Sequence, residues 1–159
     1  MDTTGLVVLG VTLVLSAVAA WWLRTRDGSL SATSGTEGSV VRELAVLQEL
    51  GARPQDADLT VVQFSTAFCG PCRATRARLQ QLQTTRPRLS YLHVDAESHL
   101  DAVRALDVRR TPTLFYLDRS GALLGRSSGA PRPDELTALV DAHTGVPSGS
   151  ATLAPWAPC

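Results

Sequence analysis

Residues 59–85 read LTVVQFSTAFCGPCRATRARLQQLQTT. Leu59 to Phe64 are apolar and β-branched over a short run, the pattern of a strand buried on both faces. Cys69-Gly70-Pro71-Cys72 ends that pattern, and the strong helix formers behind it run without Gly or Pro until Pro87. A helix is therefore predicted from about Gly70 to Thr85. Strand, turn and helix in that order place two thiols at a helix N-terminus. Unpaired amides and the positive dipole end favour an anion there and drive a thiol toward thiolate. Lowering a thiol pKa from about 8.5 to about 7 raises the thiolate fraction at neutral pH from a few per cent to about half. Cys69 projects at the exposed mouth of the turn, while Cys72, three residues on, lies on the same helix face within disulfide reach. Pro71 has no amide hydrogen to donate, which costs nothing in a first helical turn.

Outward from this stretch, the periodicity continues to alternate. Leu89–Asp95 reads as a second strand, and Ser98 is expected to cap a helix carrying Leu100, Val103 and Leu106, with Asp101 at the capping-box position. Thr113–Leu117 is a third strand; the turn-prone DRSG at 118–121 leads into Leu123–Ser128 as its antiparallel partner. Pro133-Asp134-Glu135 opens a last helix ending near His143 and Gly145. On the N-terminal side, apolar residues at 40, 41, 44, 45, 47 and 50 followed by Gly51 predict an amphipathic helix. The order αβαβαββα calls for an α/β fold, a mixed sheet with helices on both faces, in one domain of about 40–145.

These residues resemble a known family. Cys69-Gly70-Pro71-Cys72 between strand and helix, Thr111-Pro112-Thr113 opening the third strand and Gly129 after the fourth look like thioredoxin. The resemblance implies that Cys69 attacks a substrate disulfide and that Cys72 resolves the mixed disulfide, closing a Cys69–Cys72 bond. It implies a cis bond before Pro112, with Thr111 and Pro112 against the cysteines. Residue 111 would offer its backbone to an extended substrate chain, with Gly129 keeping the groove open and Phe68, Gly70 and Pro71 completing the active-site loop. A proline at the entrance of a central strand independently favours the cis form. The chain departs from the family at four places. Gln63 stands where an Asp usually lies beneath the cysteines, and Tyr91 where a Lys often accompanies it. Where the family signature carries tryptophans, this chain has Ser65 and Phe68. Gln63 cannot titrate, so proton transfer at Cys72 must use water or another group. The family's first strand is not evident before Val40, so that edge of the sheet is expected to be short or absent.

The ends of the chain read differently. Gly5–Leu23 contains no charge, and 19 helical residues just span a hydrocarbon core of about 30 Å. After a stub at 1–4, residues 5–23 are therefore expected to form a transmembrane helix, with Trp21 and Trp22 at its boundary. Ala17-Val18-Ala19 offers a signal-peptidase site, but Met1-Asp2-Thr3-Thr4 lacks the positive n-region of a signal peptide, which favours a retained anchor. Arg24 and Arg26 follow the span, so the positive-inside rule puts the rest of the chain on the cytoplasmic side. Residues 24–39, rich in Ser, Thr and Gly, read as a flexible linker spanning about 20 Å. Residues 146–159 form a Pro-rich tail of disordered composition, ending in Cys159. With these ends, the whole chain resembles membrane-anchored bacterial thioredoxin-like proteins.

Composition limits the alternatives. Fifteen cations balance fifteen acids, which removes the footprint of a nucleic-acid binder. All the cations are Arg, so lysine-dependent chemistry such as Schiff-base formation is excluded. A zinc site would need Cys159, His93 or His99 beside the pair, and the Gly-Pro between the cysteines favours redox over metal. His93 and His99 have an ordinary packed or solvated reading, Gln63 that of a satisfied buried amide, and the Arg-rich face at 73–78 that of a solvated helix. The expected function is a membrane-anchored protein-disulfide reductase without cofactor. Its partners would be disulfide-containing proteins and a thioredoxin reductase or low-molecular-weight thiol as electron donor. A docking module with little turnover, or an extracytoplasmic disulfide or cytochrome-assembly factor, are the alternatives.

Overall fold

The computed structural model describes residues 10–19, 30–31 and 37–145. Its central element is β2 (Leu59–Ser65), which lies between β3 (Leu89–Asp95) in parallel and β4 (Thr113–Asp118) in antiparallel orientation. Antiparallel β5 (Leu123–Ser128) follows β4, and β1 (Leu30–Ser31) covers the outer edge at Ser127 and Arg126, giving the order β1-β5-β4-β2-β3. The mixed sheet flanked by helices is the architecture the element order called for.

Strand alternation divides the core into two layers. Even-numbered Val62 and Phe64 join Leu47 of α2 (Glu37–Glu49), Leu106 just after α4 (Leu100–Ala105), Phe115 and Leu117 on one face. Odd-numbered Leu59 and Val61 pack on the other with Leu114 and Tyr116. Covering them are Leu79 and Leu82 of α3 (Gly70–Thr85) and Leu136 and Val140 of α5 (Pro133–Thr144). Arg86, capping the end of α3, pairs at 2.5 Å with buried Asp141 of α5 and fastens these two helices together. The odd face carries the chemistry, because Gln63 is odd-numbered and lies under the first turn of α3.

Three boundaries differ from the sequence reading. α2 starts at Glu37, not 40; Gly38 and Ser39 are weak helix formers, which hid its first turn. β1 and that first turn both fall within the expected linker 24–39, whose other residues lie outside the described ones. Ser98 does not cap α4. Its hydroxyl donates to Asp95 Oδ2 at 2.5 Å, because the carboxylate at the end of β3 captures it first, and His99 becomes the N-cap without a side-chain bond to the helix amides. Asp101 consequently has no capping-box partner and pairs with Arg104 at 3.1 Å.

Residues 10–19 form a helix, α1, on which Val11, Leu13, Val14, Leu15 and Val18 are more than half exposed. Among the described residues no helix is long and apolar enough to cross a membrane. The span expected at 5–23 extends at both ends beyond the described residues, and the tail at 146–159 lies entirely outside them.

Candidate functional site

The loop between β2 and α3 delivers the two cysteines. Buried β2 fixes one end of the loop, and α3 starts at Gly70 with Pro71 in its first turn. Cys69 is the N-cap, in extended conformation, with its Sγ accepting from the Cys72 amide at 3.1 Å. A disulfide joins Cys69 to Cys72, their Cα atoms 5.2 Å apart. Pro71 leaves no orphan amide, and Thr75 Oγ1 donates to its carbonyl at 3.0 Å. The surroundings of the two sulfurs are unequal. Cys72 is 3% exposed, Cys69 is half-buried, and Phe68 beside it is 97% exposed.

The first turn of α3 holds no acid; Arg73 projects from it and Arg76 from the turn that follows. Cations at a helix N-terminus oppose the dipole, but together with it they favour any anion formed there. Arg78, the third arginine of this face, is drawn off the solvated surface: Nη2 donates to Thr137 Oγ1 of α5 at 3.0 Å.

Across the loop stands the segment leading into β4. The Thr111–Pro112 bond is cis. Thr111 Oγ1 lies 3.4 Å from Thr66 Oγ1, which ties this segment to the cysteine loop. The Gly129 amide donates to the Pro112 carbonyl at 2.7 Å, and Gly129 has φ 99°, a left-handed conformation that side chains resist. Phe68, Cys69, Gly70, Pro71, Cys72, Thr111, Pro112 and Gly129 thus belong to two neighbouring segments joined through Thr66, with Gly129 bonded behind Pro112.

Beneath the disulfide, Gln63 is fully buried, and its amide is used at both ends. Nε2 donates to the Cys72 carbonyl at 3.0 Å, and Oε1 accepts from Tyr91 Oη at 2.8 Å. Burial pushes the Tyr91 hydroxyl up to about 12 against the opposing pull of Arg76, so this pair is neutral at ordinary pH. Two residues were missing from the sequence-derived site. Ser65 and His93 are hydrogen-bonded, Oγ to Nε2, in a cleft of about 400 Å³ that Cys72, Arg73, Arg76 and Asp95 also line. Burial, then Arg76, lowers the His93 pKa, with Asp95 opposing. The signal was present in the numbering: 91 and 93 share a strand face, and parallel register sets His93 beside Gln63. On the far side of Thr66 a second cleft, about 280 Å³, is mostly apolar, with Leu100, Val103 and Val108 leading to Thr111.

A half-buried sulfur at a helix N-terminus, backed by a fully buried one, can attack a disulfide and then release the product by internal exchange. Known proteins are similar to this chain. Residues 48–142 match the family model described as thioredoxin. Thioredoxin H4-1 of rice (Oryza sativa subsp. japonica) is 31% identical over 90 residues, covering 55% of this chain and 68% of its own. Mitochondrial thioredoxin 3 from Saccharomyces cerevisiae, in its oxidised form, superposes with TM-score 0.52 at 25% identity over 60% of this chain and 89% of its own. Fasciola hepatica thioredoxin does so with TM-score 0.52 at 27% identity over 61% and 90%.

Proposed function

The chain belongs to the thioredoxin family and is a disulfide oxidoreductase; on that premise we propose that it is held at a membrane and works in the reducing direction on protein disulfides. The observation that carries this reading is the inequality of the two sulfurs, Cys69 half-exposed at the start of α3 and Cys72 buried behind it. In the reduced protein the Cys69 thiolate attacks a substrate sulfur, expels the other substrate sulfur as a thiolate and forms a mixed disulfide. Cys72 then attacks Cys69 Sγ and releases the second substrate thiol. The cysteine pair loses two electrons and the substrate disulfide gains them. A thioredoxin reductase or a low-molecular-weight thiol restores the pair.

An extended substrate segment would lie against Thr111 and Pro112, with Gly129 leaving room for it and Phe68, Gly70 and Pro71 forming the opposite lip. The exposure of Phe68 beside Cys69 supports this assignment, since a bare aromatic ring at a reactive sulfur is the kind of surface that substrate binding covers. Tethering is supported by the uncharged run Gly5–Leu23 and by the outward-facing aliphatic side chains of α1. Arg24 and Arg26 support a domain on the cytoplasmic side.

The full chain, supplied with dithiothreitol, is expected to reduce a disulfide-bonded protein catalytically and to lose this activity in Cys69→Ser. Equal rates for the two proteins would defeat the enzymatic reading. A reporter fused after Cys159 is expected to be active only when it is of a kind that works in the cytoplasm. Activity of an exported reporter would reverse the orientation.

A further inference from the structure

Resolution requires the buried Cys72 thiol to shed a proton as it attacks Cys69 Sγ, and the residue beneath it cannot receive one. Gln63 does not titrate, its amide is engaged at both ends, and Tyr91 stays protonated to about pH 12. The cleft that Cys72 lines holds two groups able to accept a proton, the Asp95 carboxylate and the His93 imidazole. Hydrogen bonds from the Ser98 hydroxyl and the Glu97 amide hold the Asp95 pKa below the usual carboxylate value, which leaves His93 the stronger base near neutral pH. It sits on the same sheet face as Tyr91 and in register beside Gln63, with Ser65 bonded to its Nε2. Arg73 and Arg76 face it from α3, and Asp95 and Tyr91 share its strand.

We propose that His93, reached through Ser65 or a water in the shared cleft, takes the Cys72 proton during resolution. This rests on the oxidoreductase reading above and assigns its missing proton acceptor. The Cys72 proton passes to Ser65 Oγ or the water, which yields one to Nε2 in the Nδ1-protonated tautomer. The sulfur electron pair closes the Cys69–Cys72 bond. The bond from Cys69 to the substrate sulfur breaks, and the departing thiolate regains a proton from solvent or from His93. Partial burial and Arg76 lower the His93 pKa, which favours the neutral imidazole that can accept a proton.

The test uses the reduced full chain carrying Cys159→Ser, mixed with an equimolar aromatic disulfide whose released thiolate is coloured. The first release reports attack by Cys69 and the second reports resolution by Cys72. In His93→Gln the second release is expected to slow by roughly tenfold or more near neutral pH, with the first unchanged within about twofold. The parent's second phase should fall as pH drops through the His93 titration, whereas the variant's should follow a single thiol ionisation. Added imidazole should accelerate the variant and not the parent. An unchanged second phase in His93→Gln would overturn the assignment, as would a slowed phase that keeps the parent's pH profile and ignores imidazole. Absence of any second release from the parent would instead defeat the oxidoreductase reading, and this assignment with it.

Discussion

On one side of Thr66 the surface is mostly apolar, running from Leu100 and Val103 past Val108 to Thr111, with Glu97, Arg109 and Arg110 also on its wall; on the other the polar share is larger, with Ser65, His93 and Arg76 around the buried sulfur of Cys72. The two clefts share a wall residue and little else. Substrate peptides gain by covering apolar surface, and protons move where polar groups and water line a path. With recognition beside Thr111 and Phe68 and proton handling beside Ser65 and His93, as proposed above, the parts of the reaction would be separated in space, with the sulfurs between. Changes on one side should therefore alter one kinetic constant and spare the other.

The severest change removes what both sides serve. Cys69→Ser should bring disulfide reduction to background, whereas Cys72→Ser should accumulate a mixed disulfide visible by mass spectrometry. If Cys72→Ser turned over freely, the division of labour between the sulfurs would be void. Next in size is Leu100→Glu, which removes an exposed apolar side chain from the groove. A loss of about 1 kcal/mol in substrate binding is roughly fivefold in KM, with kcat unchanged. A fall in kcat at constant KM would show the clefts to be coupled.

Tyr91→Phe deletes the hydrogen bond to Gln63 and should cost about 1 kcal/mol in chemical denaturation. Tyr91 and Tyr116 are both pushed up to about 12 by burial, above the value near 10 of an unfolded chain. The folded protein holds these protons more tightly, so their stabilisation is full below pH 10 and is lost as pH rises toward about 12. Tyr91→Phe should flatten that decline, and an identical alkaline curve for the variant would contradict it. The smallest effect concerns Arg76→Gln. Removing this cation should raise the His93 pKa, moving the imidazole resonances in an NMR titration to higher pH. Salt should shrink the difference between the two proteins.

The helix that carries Leu100 and Val103 was legible from their spacing, but the groove they form with Val108 and Thr111 was not, because it joins a six-residue helix to the turn behind it and to the segment before β4. Its cap was misplaced because Asp95 diverted the serine expected there. β1, two residues long, carries no pattern at all. The strands and α3 were legible to within a residue or so, since alternation and unbroken helix propensity are properties of the local chain. The cysteines announced themselves by spacing and Thr111-Pro112 by resemblance. For Ser65 and His93 the numbering showed only that 91 and 93 share a strand face; their meeting depends on the parallel register of β2 and β3, which closes 28 residues of sequence into one hydrogen bond.

Phe68, standing where a tryptophan is usual, leaves a further mark on the molecule. The chain's three tryptophans are Trp21, Trp22 and Trp156, all outside the stretch from β2 to α5, and its two tyrosines are Tyr91 and Tyr116. The catalytic unit therefore fluoresces through tyrosine only, and one of its two fluorophores is bonded to the amide that holds the Cys72 carbonyl. With the tryptophans replaced by phenylalanine, emission from this chain becomes an optical gauge placed directly under the disulfide, able to follow its opening and closing without an attached dye.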